Sequence, residues 1–269
     1  MPTTLVNGIN LYYEVHGQGQ PLILIQGLGG GHQAWFFQLR AFQKHFRVVT
    51  FDNRGIGKSH HTSREPYTIR VMADDVIGLM DHLGIDKAHI LGLSLGGMVA
   101  QELAISYPHR VDKLILCSTF ASRETHDATP DVIRNINIEA ESAGVDSMSF
   151  DSRQFIGSFI SLAFNRWPYR MFFNLVSRFV MKSTHIQDYL GQMGAVRGYE
   201  TKSRLHLIHA PTLVITGTED KLVPPCFSEM IAMRIPNARL VKVGGGSHAF
   251  FIEMSSRFNR EVLDFVTGR

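Results

Sequence analysis

A chain of 269 residues, 44% apolar and 19% charged, has the composition of a folded globular protein rather than a disordered one. Its formal net charge of +3 is small and its Lys and Arg are scattered, so nucleic acid is not an expected partner. The two cysteines, Cys117 and Cys226, form no disulfide framework, the N-terminus lacks a secretory pattern, and the longest apolar stretch, Phe155 to Phe164, is well short of the ~20 residues that span a bilayer; a reduced, cytoplasmic setting without membrane association is expected.

Asn7-Gly8, between two β-prone runs, predicts an opening antiparallel hairpin. Apolar runs of strand length follow at Leu22 to Ile25, Val48 to Phe51, His89 to Leu93 and Leu114 to Cys117, and their lack of alternation predicts burial on both faces. Between them, Gln33 to Lys44, Thr68 to Leu83 and Leu95 to Tyr107 carry apolar residues at three- and four-residue spacing. Crossover helices of a parallel, right-handed βαβ sheet have this pattern. From Phe120 to about Ile208 helix-like segments rich in Phe, Met and Arg replace the alternation. Strand patterns resume at Thr212 to Thr216 and Arg239 to Val243, and Ser256 to Val266 reads as a closing amphipathic helix. The predicted class is therefore α/β, a mostly parallel central sheet flanked by helices. Its core spans 1–120 and 209–269, interrupted by a helical cap over 121–208.

Gly92-Leu93-Ser94-Leu95-Gly96 sits between a predicted buried strand and a predicted helix. In that context a Gly-x-Ser-x-Gly run makes a sharp turn that exposes the serine hydroxyl, with glycines where side chains would collide. A serine needs a base to take its proton and a carboxylate to orient that base. Asp220 and His248 each follow a predicted strand, in the chain order serine, acid, histidine that this architecture uses. Glu124, after an earlier strand, is the competing acid. The backbone N–H of Leu95 and that of Leu28, within the glycine-rich run Gly27 to Gly31, are the expected oxyanion donors. That run lacks both a dinucleotide fingerprint and a phosphate-loop lysine, so no nucleotide cofactor is expected. His60-His61 and the Glu124 to Asp127 cluster lack the helical two-histidine spacing of a zinc protease, and no metal is expected.

These motifs resemble the α/β-hydrolase superfamily along nearly the whole chain. The loop Asp52-Asn53-Arg54-Gly55-Ile56-Gly57-Lys58-Ser59 and the run Ala210-Pro211-Thr212-Leu213-Val214-Ile215 resemble that superfamily's structural signatures as well. Spacing, cap length and the Tyr67-Thr68 helix entry are most similar to 3-oxoadipate enol-lactonases and related small serine carboxylesterases. The resemblance implies an α/β-hydrolase fold and cleavage of a small ester or lactone through an acyl-enzyme, with no cofactor. Gln26 stands where many relatives carry histidine, which makes it a candidate substrate contact. His248 is followed by Ala249, whereas carbon–carbon hydrolases of meta-cleavage products usually place tryptophan there; such a hydrolase is the alternative reading, and a ligand receptor on the same fold a second. Ser94 argues against dehalogenases and epoxide hydrolases, which use aspartate at the elbow. Trp167 is a candidate substrate contact. With Phe155, Phe159, Phe164, Phe172 and Phe173 it either lines an apolar acyl pocket or packs a core. None of these patterns encodes an oligomeric state.

Overall fold

The computed structural model describes residues 2–61, 67–122, 160–171, 175 and 186–269. Strands β1 (Thr3–Val6), β2 (Ile9–His16), β3 (Pro21–Ile25), β4 (Arg47–Phe51), β5 (His60–His61), β6 (Ala88–Leu93), β7 (Val111–Cys117), β8 (Thr212–Gly217) and β9 (Ala238–Val243) form one sheet. Its order is β1-β2-β4-β3-β6-β7-β8-β9, with β5 pairing β2. The β1/β2 hairpin and the β2/β4 pair are antiparallel, and β4 through β9 along this path are parallel. The sheet is accompanied by helices α1 (Phe36–Phe42), α2 (Ile69–His82), α3 (Leu95–Ser106), α4 (Ile186–Arg197), α5 (Pro225–Arg234), α6 (Phe250–Glu253) and α7 (Ser255–Thr267) and by 3₁₀ turns at His32–Trp35, Pro108–Arg110 and Leu205–Leu207.

The unbroken apolar strands are buried on both faces because successive side chains point to opposite sides. Ile23 and Ile25 pack with Val76, Leu79, Val99 and Leu103 on the α2/α3 side. Leu22 and Leu24 pack with Phe42, Phe258 and Val262 on the α1/α7 side. The predicted helix over Gln33 to Lys44 is split into a 3₁₀ turn, His32–Trp35, and α1. Thr68 is outside α2 as its cap, its Oγ1 accepting the Val71 N–H at 3.1 Å. Helix α5 has no counterpart in the sequence reading, since its buried apolar side chains, Phe227, Met230 and Ile231, span little more than one turn.

Strand order sets the location of chemistry. From β3 the chain steps to β4 on one side, and later to β6 on the other. Such a switch point leaves a crevice outside the carboxyl ends of β3 and β6. Gly27 to Gly31 and Ser94 occupy those ends.

One buried polar residue in β6 has a consequence for stability. His89 is 1% exposed, and neither ring nitrogen is hydrogen-bonded among the described residues. Phe46 packs edge-on at 5.8 Å, and Asp112 Oδ2 lies 3.2 Å from Nδ1 without hydrogen-bonding geometry. Burial holds the imidazole down to about 4, outweighing the attraction of Asp112. The folded chain thus binds fewer protons here than the unfolded one, so the contribution is intact above pH 6.5 and is lost as pH falls towards 4. Roughly 3 kcal/mol should disappear across that window. Thermal melts of His89→Leu should show a correspondingly shallower acid slope, and superimposable slopes would refute the assignment.

Candidate active site

Ser94 joins β6 to α3 with φ 53° and ψ −118°, a conformation non-glycine residues rarely adopt. The surroundings hold it there. Its N–H donates to Cys117 O at 2.9 Å, and its C=O accepts from Gly97 N–H at 2.8 Å and Thr119 Oγ1 at 2.7 Å. A Cβ on Gly92 would lie 2.2 Å from Gly96 O, and one on Gly96 would lie 2.2 Å from Ile25 O. Only glycine permits the strand, turn and helix to close this tightly. Ser94 therefore stands at the positive N-terminal end of α3.

Asp220 follows β8 and His248 follows β9. The two loops are locked together because Gly217 rests on the Gly246 backbone, where a Cβ would come within 2.2 Å of Gly246 O. Glu219 N–H also donates to Gly246 O at 2.8 Å. Asp220 Oδ1 accepts the Leu222 and Val223 N–H groups at 3.0 and 2.8 Å. His248 Nδ1 lies 2.9 Å from Oδ2 and 3.1 Å from Oδ1. A carboxylate on Nδ1 keeps the proton there and leaves Nε2 as the acceptor. Both residues are buried, at 4% and 6% exposure. Cys117 lies beneath; burial pushes its thiol up, so it is no competing nucleophile.

Leu28 is carried by a turn in which Gly30 N–H donates to Gly27 O at 3.1 Å and Gly29 adopts φ +67°. Gly27 abuts the serine, since a Cβ there would be 3.3 Å from Ser94 Cβ. Neither the Leu28 nor the Leu95 N–H is engaged by another group among the described residues. Gln26, 3% exposed, spends its Oε1 on the Gly27 N–H at 2.8 Å, while its Nε2 has no partner among the described residues.

Ser94, His248, Gln26 and Leu28 line one cavity of about 210 Å³. Its remaining wall is apolar, including Ile160, Phe164, Tyr189, Phe251 and Ile252. Ser94 Oγ and His248 face the same cavity without a hydrogen bond between them among the described residues; such a bond is expected to tighten on substrate. Trp167 is 70% exposed and is not among the residues lining this cavity, whereas Phe164 is 6% exposed and lines it. The helical phase is broken at 164–166, where Glu253 takes the Arg166 N–H at 2.7 Å, so residues on either side of the break do not share a face. Glu124, Phe155, Phe159, Phe172 and Phe173 lie outside the described residues. Tyr189, Ile160 and Ile252 had no signal in the sequence reading, because apolar residues facing a cavity and a core look alike.

Helix α4 also grips the loops. The Tyr67 phenol, pushed up by burial, donates to Asp188 at 2.6 Å, and Gln192 is fully buried between two loops. Among the described residues there is no cluster of metal-ligand type, and no helix is long and apolar enough to cross a membrane.

A doubly wound sheet with a strained serine at its switch point and an Asp–His pair beside it defines a hydrolase of the α/β class. The chain belongs to the alpha/beta hydrolase fold family, whose model matches residues 20–254. It is 32% identical to a putative carbamate hydrolase, RutD, of Caulobacter sp. (strain K31), over 96% of each chain. Among solved structures it resembles a hydrolase from Pseudomonas aeruginosa PA01, with TM-score 0.83 and 30% identity, covering 98% of this chain and 97% of that one. It likewise resembles an enol-lactonase from Burkholderia xenovorans LB400, with TM-score 0.81 and 29% identity, covering 99% of this chain and all (100%) of that one.

Proposed function

We propose that the chain cleaves a carboxylic ester or lactone of a small, partly apolar substrate through an acyl-enzyme. The observation that carries this reading is the buried Asp220–His248 pair opening into the same cavity as Ser94. Ser94 Oγ attacks the carbonyl while His248 Nε2 takes its proton and Asp220 stabilises the imidazolium. The Leu28 and Leu95 N–H groups receive the oxyanion. His248 returns the proton to the leaving oxygen, then activates water to release the acid. Gln26 Nε2, which has no partner among the described residues, is positioned to donate to a substrate oxygen. From the expected cap, Ile160, Ala163, Phe164 and Tyr189 shape the acyl pocket, and the apolar wall favours acyl groups without charge. The chemistry needs no cofactor, and the free thiols Cys117 and Cys226 are in keeping with a reducing cytoplasm.

The relatives' name supports a second reading, cleavage of a carbamate, in which His248 protonates a leaving nitrogen. One panel separates them: p-nitrophenyl esters, lactones, enol-lactones, carbamates and ring-cleavage dienolates, with product identification. A fluorophosphonate should label one equivalent at Ser94 and none in Ser94→Ala. Retained labelling in that variant, or an unlabelled wild type, would sink the nucleophile assignment.

A further inference from the structure

The turn bearing Leu28 is flanked by Gly27, Gly29, Gly30 and Gly31, and such a backbone has little rigidity of its own. An oxyanion donor contributes only if it is fixed before the reaction. The Gly30–Gly27 bond and the Gln26 side chain on Gly27 hold its start, and helix α4 supplies further constraint from outside at Gly29. Gln192 Oε1 accepts the Gly29 N–H at 3.2 Å, while Gln192 Nε2 donates to Arg54 O at 3.1 Å. The Tyr189 ring, one turn earlier, closes on Gly29, where a Cβ would stand 3.0 Å from Tyr189 Cε2. Gln192 is fully buried although it carries a neutral amide, and both of its polar ends are satisfied. The helix itself is seated by the Tyr67–Asp188 bond and by the Tyr67 ring against Gly191.

We propose that Gln192 is a positioning residue for the oxyanion site, bridging the Gly29 N–H and the Arg54 carbonyl so that docking of α4 fixes the direction of the Leu28 N–H. The inference rests on the assignment of Ser94 and Leu28 above. It makes transition-state stabilisation depend on a residue that does not touch the substrate, and it assigns α4 a role in turnover as well as in enclosing the pocket.

The test uses the full chain, p-nitrophenyl butyrate, butylboronic acid as a tetrahedral mimic, and fluorophosphonate labelling. Gln192→Leu keeps the volume and removes both bonds. Its kcat should fall by about 10- to 100-fold, with KM within about twofold and boronate affinity falling in parallel with kcat. A risen KM with retained kcat would mark a packing residue and overturn the inference. Gln192→Glu gives a second readout. Its protonated carboxyl can serve both partners, but its carboxylate faces the Arg54 carbonyl with lone pairs. Its kcat relative to wild type should rise as pH is lowered, and a pH-independent ratio would overturn the inference. Labelling at Ser94 with wild-type turnover in Gln192→Leu defeats this inference alone. An unlabelled wild type defeats the nucleophile assignment and this inference with it.

Discussion

Asp220→Asn is expected to lower turnover by about 10⁴-fold while the chain stays folded. The direction follows from the hydrogen bonds on the two carboxylate oxygens. Oδ1 accepts two backbone N–H groups, from Leu222 and Val223, so an amide oxygen is held at that position. The amide nitrogen must then take the place of Oδ2, 2.9 Å from His248 Nδ1. Nδ1 becomes an acceptor there and the ring proton moves to Nε2, the nitrogen that should receive the serine proton. Charge stabilisation of the imidazolium is lost at the same time. The retained Leu222 and Val223 bonds keep the loop in place, so thermal melts should change little. Activity within tenfold of wild type would remove Asp220 from the acid role and direct attention to Glu124, whose Gln variant is otherwise expected to lose less than about tenfold.

The largest effect on stability is expected at Arg54. Its Nε and Nη2 each lie 2.7 Å from a different oxygen of Asp75, and both residues are buried. Burial raises the Asp75 carboxyl, and Arg54 is the chief group opposing that rise. Arg54→Met leaves an uncompensated buried carboxylate, which should cost about 3–5 kcal/mol, or roughly 10 °C in melting temperature. Asp75 then becomes easier to protonate, so the deficit relative to wild type should narrow as pH falls. The double variant Arg54→Met/Asp75→Leu removes both charges and should recover most of the loss. A single variant that melts with wild type, or a double variant no better than the single, would show that the pair is not what holds this loop. The same loop presents the Arg54 carbonyl to Gln192, so the single variant should also lose turnover under conditions where it remains folded.

Features forced on the backbone were legible from residues alone. Gly92, Ser94 and Gly96 form a local pattern because a strand, a strained turn and a helix must close within five positions, and a side chain at Gly92 or Gly96 would collide with the backbone. The buried strands were legible because burial on both faces leaves an unbroken apolar run. Asp220 and His248 could each be placed at the carboxyl edge by the strand before it, and chain order ranked Asp220 over Glu124. The class of the protein follows from these patterns, and the family match agrees with it.

Tertiary structure decided what depends on partners distant along the chain. Gly29 and Gln192 are 163 positions apart, and nothing in either neighbourhood announces the other. Gln26 could be marked as unusual, but only the folded chain shows one end of its amide spent on Gly27 and the other without a partner among the described residues. Trp167 and Phe164 were equivalent as aromatic residues in a helix-like stretch. The break at 164–166 sent one outward and the other into the cavity. Periodicity reports which residues share a helix face, but not what that face meets or where the helix stops. The sequence by itself thus determined the α/β class and marked Ser94, Asp220 and His248 as candidates, since both follow from local backbone geometry. The walls of the pocket and the contacts of Gln192 and Tyr189 on the Gly27 to Gly31 turn were decided by packing between remote segments, which no local pattern records.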